Sequence, residues 1–326
     1  MSLRFISKPV FVPRELYAEA NEFLLNYFKQ IPSILSVYQF GNITSPGISD
    51  IDLLLVFKNG EKCSLNGFET LPSKYKYLFT HGIMALFENH FYKNHHYTLW
   101  SDYIFLSGKD IANNLKEEKT PEEVRQLKIQ TALEFLVANY IDLKVQLTYK
   151  IVKLRSFLQH MKGIIYDLDF LDVHDGKVYD LLIELRHWIK NWFEIKPTDQ
   201  QIESWIREFV KAYDVFTVDM FHQHKLYLPY MNNYFMARNS TLMSRGKVGY
   251  KHSGIILPKQ LSIIGKKYSN LQNRFNRFEF YFPIVNDHRL PIIKERFQFL
   301  QEMKKYNREY LPNFMTITTS ITSKII

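Results

Sequence analysis

The sequence predicts an α+β protein, with a mixed-sheet domain over residues 1–115 followed by a mainly helical domain over 116–326. Two β-rich runs flank a loop dense in Gly, Ser and Pro between Ser33 and Lys58, which is a strand, polar loop, strand unit. Helix-start signatures at Thr120 and Thr198 each open a long amphipathic stretch. With 46% apolar and 16% aromatic residues in 326, the chain can fill two packed cores and is too apolar for disorder.

The elements follow in order. Leu16, Ala20, Phe23, Leu24 and Phe28 recur at three- and four-residue steps, predicting a helix over Pro13–Gln30 that Pro32 stops. Ser33–Phe40 is rich in Ile, Val, Tyr and Phe and reads as a strand. Gly41–Ser49 is the loop, and Asp50–Lys58 is the second strand, closed by the turn pair Asn59-Gly60. Tyr75–Thr80 and Tyr97–Leu106 read as strands with a helix over Ile83–Tyr92 between them. The polar series Asn113, Asn114, Lys116, Glu117, Glu118 and Lys119 marks the domain boundary. Thr120-Pro121-Glu122-Glu123 is a capping box opening a helical pattern that runs to about Tyr166. Val178–Phe193 is a second amphipathic stretch, and Thr198 with Gln201 caps a third. Lys266–Phe280 and Leu290–Tyr306 read as helices, residues 226–264 are undecided, and Thr316–Ile326 reads as a strand or a frayed tail.

Several functional classes are excluded. No run of about 18 uncharged apolar residues occurs, so no membrane span is expected. The first eight residues lack an apolar core and a small-residue cleavage site, so the chain is expected in the cytoplasm. The single cysteine, Cys63, excludes an intrachain disulfide and any Cys-cluster metal site. Walker-type loops, G-x-G-x-x-G and G-x-S-x-G are all missing. The net charge of +9 favours polyanionic partners.

Chemistry concentrates between Phe40 and Phe57. In a strand, Asp50 and Asp52 project from one face while Ile51 and Leu53 project from the other. Their Cα atoms lie roughly 6–7 Å apart at about 3.3 Å of rise per residue. Carboxylates held that close repel unless protonated or bridged by a cation. Mg²⁺ or Mn²⁺ is the natural bridge, since hard oxygen ligands suit them and they bind through a few carboxylates together with substrate phosphates. A phosphate-bearing ligand is therefore implied, with Gly41 and Asn42 placed to approach it. A bare Asp-x-Asp is equally a strand-start turn; the preceding strand, the Gly-polar turn and the following apolar run favour a site.

Together Gly41, the eight residues Asn42–Ser49, Asp50 and Asp52 resemble the motif of the polymerase-β-like nucleotidyltransferase superfamily: an apolar strand, Gly-Ser, a spacer, then Asp-x-Asp on the next strand. The resemblance implies a metal-dependent nucleotidyltransferase that moves a nucleoside monophosphate from an NTP to an acceptor hydroxyl and releases pyrophosphate. Asp50 and Asp52 would be catalytic metal ligands, and Gly41, Asn42 and Ser49 would bind the nucleotide. Asn42 stands where the family has Ser. The family also uses a third carboxylate on a later strand, for which Asp102 is the first candidate and Glu88 the second. If that strand is instead Lys76–Gly82, Thr80 or His81 holds the position. The alternative is then a catalytically inactive nucleotide- or RNA-binding module of the same fold.

Residues 222–278 carry ten basic residues and no Asp or Glu, interleaved with Tyr227, Tyr230, Tyr234, Phe235, Tyr250 and Tyr268. Such a segment can neutralise phosphates and stack bases, so RNA is one candidate acceptor beside a protein side chain or a small molecule, which the sequence does not rank. It is also compatible with an ordinary solvated basic face.

Overall fold

A computed structural model of the chain describes residues 2–99, 102–115, 119–229, 231, 233–286 and 290–325. Lys116, Glu117, Glu118 and Tyr230 therefore lie outside the described residues. In chain order the elements begin with β1 (Arg4–Ile6), α1 (Arg14–Phe28), β2 (Ile34–Phe40), β3 (Asp52–Phe57), α2 (Ser73–Lys76), β4 (Met84–Phe87), α3 (Glu88–Thr98) and β5 (Tyr103–Gly108). They continue with α4 (Pro121–Tyr149), β6 (Ile151–Lys153), α5 (Leu154–Phe170), α6 (Lys177–Lys190), α7 (Trp192–Ile195), α8 (Asp199–Gln223) and β7 (Leu226–Tyr227). The last are β8 (Tyr234–Ala237), β9 (Ser240–Ser244), β10 (Gly249–Gly254), α9 (Lys266–Phe275), β11 (Asn276–Phe282), β12 (Ile284–Val285), α10 (Pro291–Tyr310) and α11 (Thr322–Ile325). The chain is mixed α+β, as its sequence predicts.

Two compact units result. One joins Val10–Leu127 to Lys294–Thr318; the other joins the residues up to Pro9 to Lys128–Ile293 and Thr319–Ile325. The division thus falls inside α4 rather than at 115/116, and a C-terminal segment returns to the first unit. The reason is sheet coverage. Phe299, Leu300 and Met303 of α10, with Ile317, pack against Leu54 and Val56 of β3. Met315 bridges the edge of β4, accepting from Ala85 N–H and donating to the Ile83 carbonyl at 2.9 Å each.

The first unit is built on a four-stranded sheet in the order β4-β3-β2-β5. β2 is antiparallel to both β3 and β5, whereas β3 and β4 are parallel. Leu53, Leu55 and Phe57 point to the face covered by Tyr17, Ala20, Leu24 and Phe28 of α1. Leu54 and Val56 point to the other face, where Phe91 of α3 joins α10. A strand covered on both faces must be apolar at every position, which explains the unbroken Leu53–Phe57 run. Burying such a side chain stabilises by about 1.5–3 kcal/mol.

The other unit contains α4 from Lys128 onward, α5–α9, β1 paired in parallel with β6, and a second four-stranded sheet in the order β10-β11-β9-β8. Both predicted capping boxes form. Thr198 Oγ accepts from Gln201 N–H at 3.2 Å and Gln201 accepts from Thr198 N–H at 2.8 Å. Thr120 and Glu123 exchange the same pair at 3.3 and 2.8 Å.

Several elements differ from expectation. The helix expected to run to Tyr166 breaks after Tyr149, where Lys150 adopts φ +56° and Ile151–Lys153 is drawn into pairing with β1. Tyr75–Thr80 is a single helical turn and a loop, and Ile83–Tyr92 divides into β4 and α3. The strand expected from Tyr97 starts at Tyr103, because α3 continues to Thr98. Lys266–Phe280 divides into α9 and β11. The tail is anchored rather than frayed: Ile321 and Thr322 are buried.

Candidate functional site

The loop between β2 and β3 is held from beneath by tyrosines. Tyr17 on α1 donates its hydroxyl to the Ser49 carbonyl and accepts from Gly47 N–H, both at 2.9 Å. Tyr77 donates to the Gly47 carbonyl at 2.7 Å. Ser49 Oγ accepts from Ser45 N–H at 3.2 Å, so this predicted phosphate ligand is engaged in forming the loop.

Gly41 opens the loop at φ +61°, a left-handed conformation that costs an L-residue about 1–2 kcal/mol. A Cβ placed there meets no atom within 4 Å, so its outer side is open. Its carbonyl accepts from Gln39 Nε2 at 3.1 Å, and Asn21 of α1 in turn donates to Gln39 Oε1 at 2.8 Å. Asn42 follows, exposed.

The aspartates flank Ile51, which is 2% exposed and donates its N–H to the Leu78 carbonyl at 2.9 Å. That anchor buries Ile51 against α1 and turns Asp50 and Asp52 outward. Asp52 is the first residue of β3, in register with Phe40 at the end of β2. Thr80 donates a hydroxyl to the Asp50 carboxylate. His81 completes the cluster: Nε2 lies 2.7 Å from Asp52 Oδ1, and Nδ1 lies 2.8 Å from the Gly82 carbonyl. Both partners are acceptors, an arrangement that an imidazolium with hydrogen on both ring nitrogens satisfies. The Asp52 carboxylate is the main reason its pKa is pushed up to about 9; partial burial opposes the rise, and the Gly82 carbonyl and Asp50 add to it.

One ligand atom from each of Asp50, Asp52 and His81 lies within 4.8 Å of the others. The two carboxylates fit a divalent ion with ligand bonds of about 2–2.6 Å once the side chains adjust slightly, with the His81 ring beside it. His81 meanwhile supplies a positive charge to the pair.

The remaining predicted residues lie elsewhere. Asp102 is exposed and immediately precedes β5, whose Tyr103 pairs with Phe40. It shares the sheet end of Asp52 but is two strands away, about 10 Å at the usual spacing. Glu88 follows β4, whose Phe87 pairs with Phe57, so it sits at the opposite end of the sheet. Neither joins the aspartates; the partner is His81, which lies on the loop entering β4 and not on a strand. The tyrosine clamps and the Asn21–Gln39–Gly41 relay had no local signal. His81 had one: it precedes the apolar run Ile83–Phe87, as Asp50 and Asp52 precede Leu53–Phe57.

No helix among the described residues is long and apolar enough to cross a membrane. No protein-family model matches the chain, and no curated protein matches it.

Proposed function

We propose that the chain is a Mg²⁺- or Mn²⁺-dependent nucleotidyltransferase, moving a nucleoside monophosphate from an NTP to an acceptor hydroxyl with release of pyrophosphate. One observation carries the reading: Asp50 and Asp52, at the open end of β3 and beside the Gly41 turn, are close enough to share a divalent ion. Such an ion would neutralise the carboxylates and the triphosphate and polarise the α-phosphate.

The chain's own residues supply the rest. Gly41 lets a phosphate approach the backbone where a side chain would intrude. Asn42 offers its amide to a phosphate oxygen. The acceptor oxygen bonds to the α-phosphorus, the bond to the pyrophosphate oxygen breaks, and the hydroxyl proton needs an acceptor. Were Asp52 to hold a cation, His81 would lose the contact that raises its pKa most. The Gly82 carbonyl then keeps the hydrogen on Nδ1, and Nε2 is free to take the proton. The acceptor is an RNA end, a protein side chain or a small molecule, and the basic segment 222–278, where Arg238, Arg245 and Lys247 are exposed, favours RNA.

A second reading is a nucleotide- or RNA-binding module without turnover. It is favoured by the imidazolium of His81 where a third carboxylate is expected.

Pyrophosphate release tests both. Each of ATP, CTP, GTP and UTP is incubated with Mg²⁺ and an RNA oligonucleotide, using wild type, Asp50→Asn, Asp52→Asn and Asp102→Asn. The transferase reading expects release by wild type and Asp102→Asn, and none by the other two. A Mg²⁺-dependent thermal shift without release selects the binding module; neither shift nor release sinks both.

A further inference from the structure

The basic segment hides a second feature in α9 and the turn before it, independent of the nucleotide site. The helix is amphipathic in the reverse sense. Its inward face is polar: Tyr268 and Gln272, with Asn276 just past the helix end, follow at four-residue steps and are 3%, 0% and 0% exposed. They form one network. Gln272 donates to Tyr268 Oη at 2.6 Å and to the Leu257 carbonyl at 3.2 Å, and Asn276 donates to the Gln272 and Ile255 carbonyls at 2.8 and 3.0 Å. Internal hydrogen bonds thus hold the helix down, and its apolar residues point away from the unit.

Those residues are Leu271 and Phe275, one turn apart, at 37% and 49% exposure. Beside them lies the preceding turn, tied on by Ile255 N–H donating to the Phe275 carbonyl at 3.3 Å. It adds Ile255 at 70%, Ile256, Ile263 at 82% and Ile264. Apolar side chains this exposed, all within the stretch Ile255–Phe275, make that stretch the candidate docking surface.

The charges around it select the occupant. Lys267 and Arg274 are exposed on α9, Lys251 on β10 and Arg277 on β11, and no carboxylate occurs between His222 and Phe278. The next one, Glu279, accepts the Tyr281 hydroxyl at 2.6 Å and stands in register with Lys251. Apart from Phe275, these side chains are aliphatic and offer bases no π-face, so nucleic acid would leave most of them in water. An anionic bilayer takes both parts: acyl chains receive the aliphatic tips, and headgroup phosphates and carboxylates receive the cations.

We propose that Ile255–Arg277 is a membrane-surface docking element, inserting Ile255, Ile263, Leu271 and Phe275 into the interface of an anionic bilayer while the surrounding Lys and Arg contact the headgroups.

Vesicle co-sedimentation of the full chain tests this. The vesicles are equal parts phosphatidylcholine and phosphatidylserine, with phosphatidylcholine alone as control. The expected result is salt-sensitive binding to the anionic vesicles. Ile255→Ser with Ile263→Ser should weaken it about tenfold or more, and Lys267→Ala with Arg274→Ala should weaken it on anionic vesicles alone. All four residues are exposed, so the thermal melt should not move. Failure of wild type to bind, or binding unaffected by the Ile changes, overturns the proposal. So does a concentration-dependent dimer, or RNA binding, that the Ile changes abolish while vesicle binding persists. Pyrophosphate release without lipid should be unchanged in Ile255→Ser with Ile263→Ser, so this proposal and the transferase reading fail separately.

Discussion

Replacing His81 by Gln in metal-free protein, with chelator present, isolates the charge pair at the site. Gln keeps a donor for Asp52 but cannot carry a proton. A rise of the His81 pKa from 6.5 to about 9 corresponds, unscreened, to about 3.4 kcal/mol at about 1.36 kcal/mol per pH unit. The His81 and Asp52 side chains are 36% and 34% exposed, so water screens the pair and about 1 kcal/mol is expected to survive. The folded state holds the proton more tightly than the unfolded chain. The stabilisation is therefore complete below pH 6.5, the unfolded value, and is lost as pH rises through about 9. Urea unfolding followed by circular dichroism should show His81→Gln less stable than wild type by about 1 kcal/mol near pH 6, with the two curves converging by about pH 10. A gap that stays constant across this range, or widens with pH, would refute the imidazolium–carboxylate pairing.

Two further substitutions probe how the loop is built. Tyr17→Phe removes a donor to the Ser49 carbonyl and an acceptor for Gly47 N–H, so urea stability should fall by about 1–3 kcal/mol; no change would mean that water replaces the hydroxyl without cost. Gly41→Ala meets no steric obstacle, so its cost to stability is the left-handed backbone alone, about 1–2 kcal/mol, whereas the Mg²⁺-dependent thermal shift with nucleotide should largely disappear. A full nucleotide shift in Gly41→Ala would remove Gly41 from the phosphate site.

What could be read from the sequence divides by range. Local signals held: the two capping boxes, the α1 periodicity and the β2–loop–β3 unit depend on residues three or four apart, or on strand composition, and all three form. Pairing between distant segments was not legible. Ile151–Lys153 becomes a strand only because Arg4–Ile6 lies beside it, and nothing near Tyr149 announces a break in helical periodicity. Ile83–Phe87 shows the general ambiguity of a short apolar run, which is equally a buried strand or a helix until its neighbour is known. The return of α10 to the first unit belongs to the same class, since its apolar stripe records that it is covered and not by what.

The site follows the same rule with a sharper consequence. Asp50 and Asp52 were legible because one strand carries both, and the strand's burial explains why they stand at its end. The third member arrives from 29 residues beyond Asp52, on a loop whose position depends on the parallel pairing of β4 with β3. A search for a strand-borne carboxylate leads to Asp102, the nearest acid ahead of a β-rich run, yet strand order sends that residue to the far side of β2. The difference bears on chemistry. A carboxylate in third place would add negative charge and tighten the demand for a cation. His81 instead offsets part of the aspartates' charge, so cation binding must compete with a proton held at a pKa of about 9. Metal affinity at this site should therefore rise with pH through the neutral range, and His81→Gln should flatten that dependence.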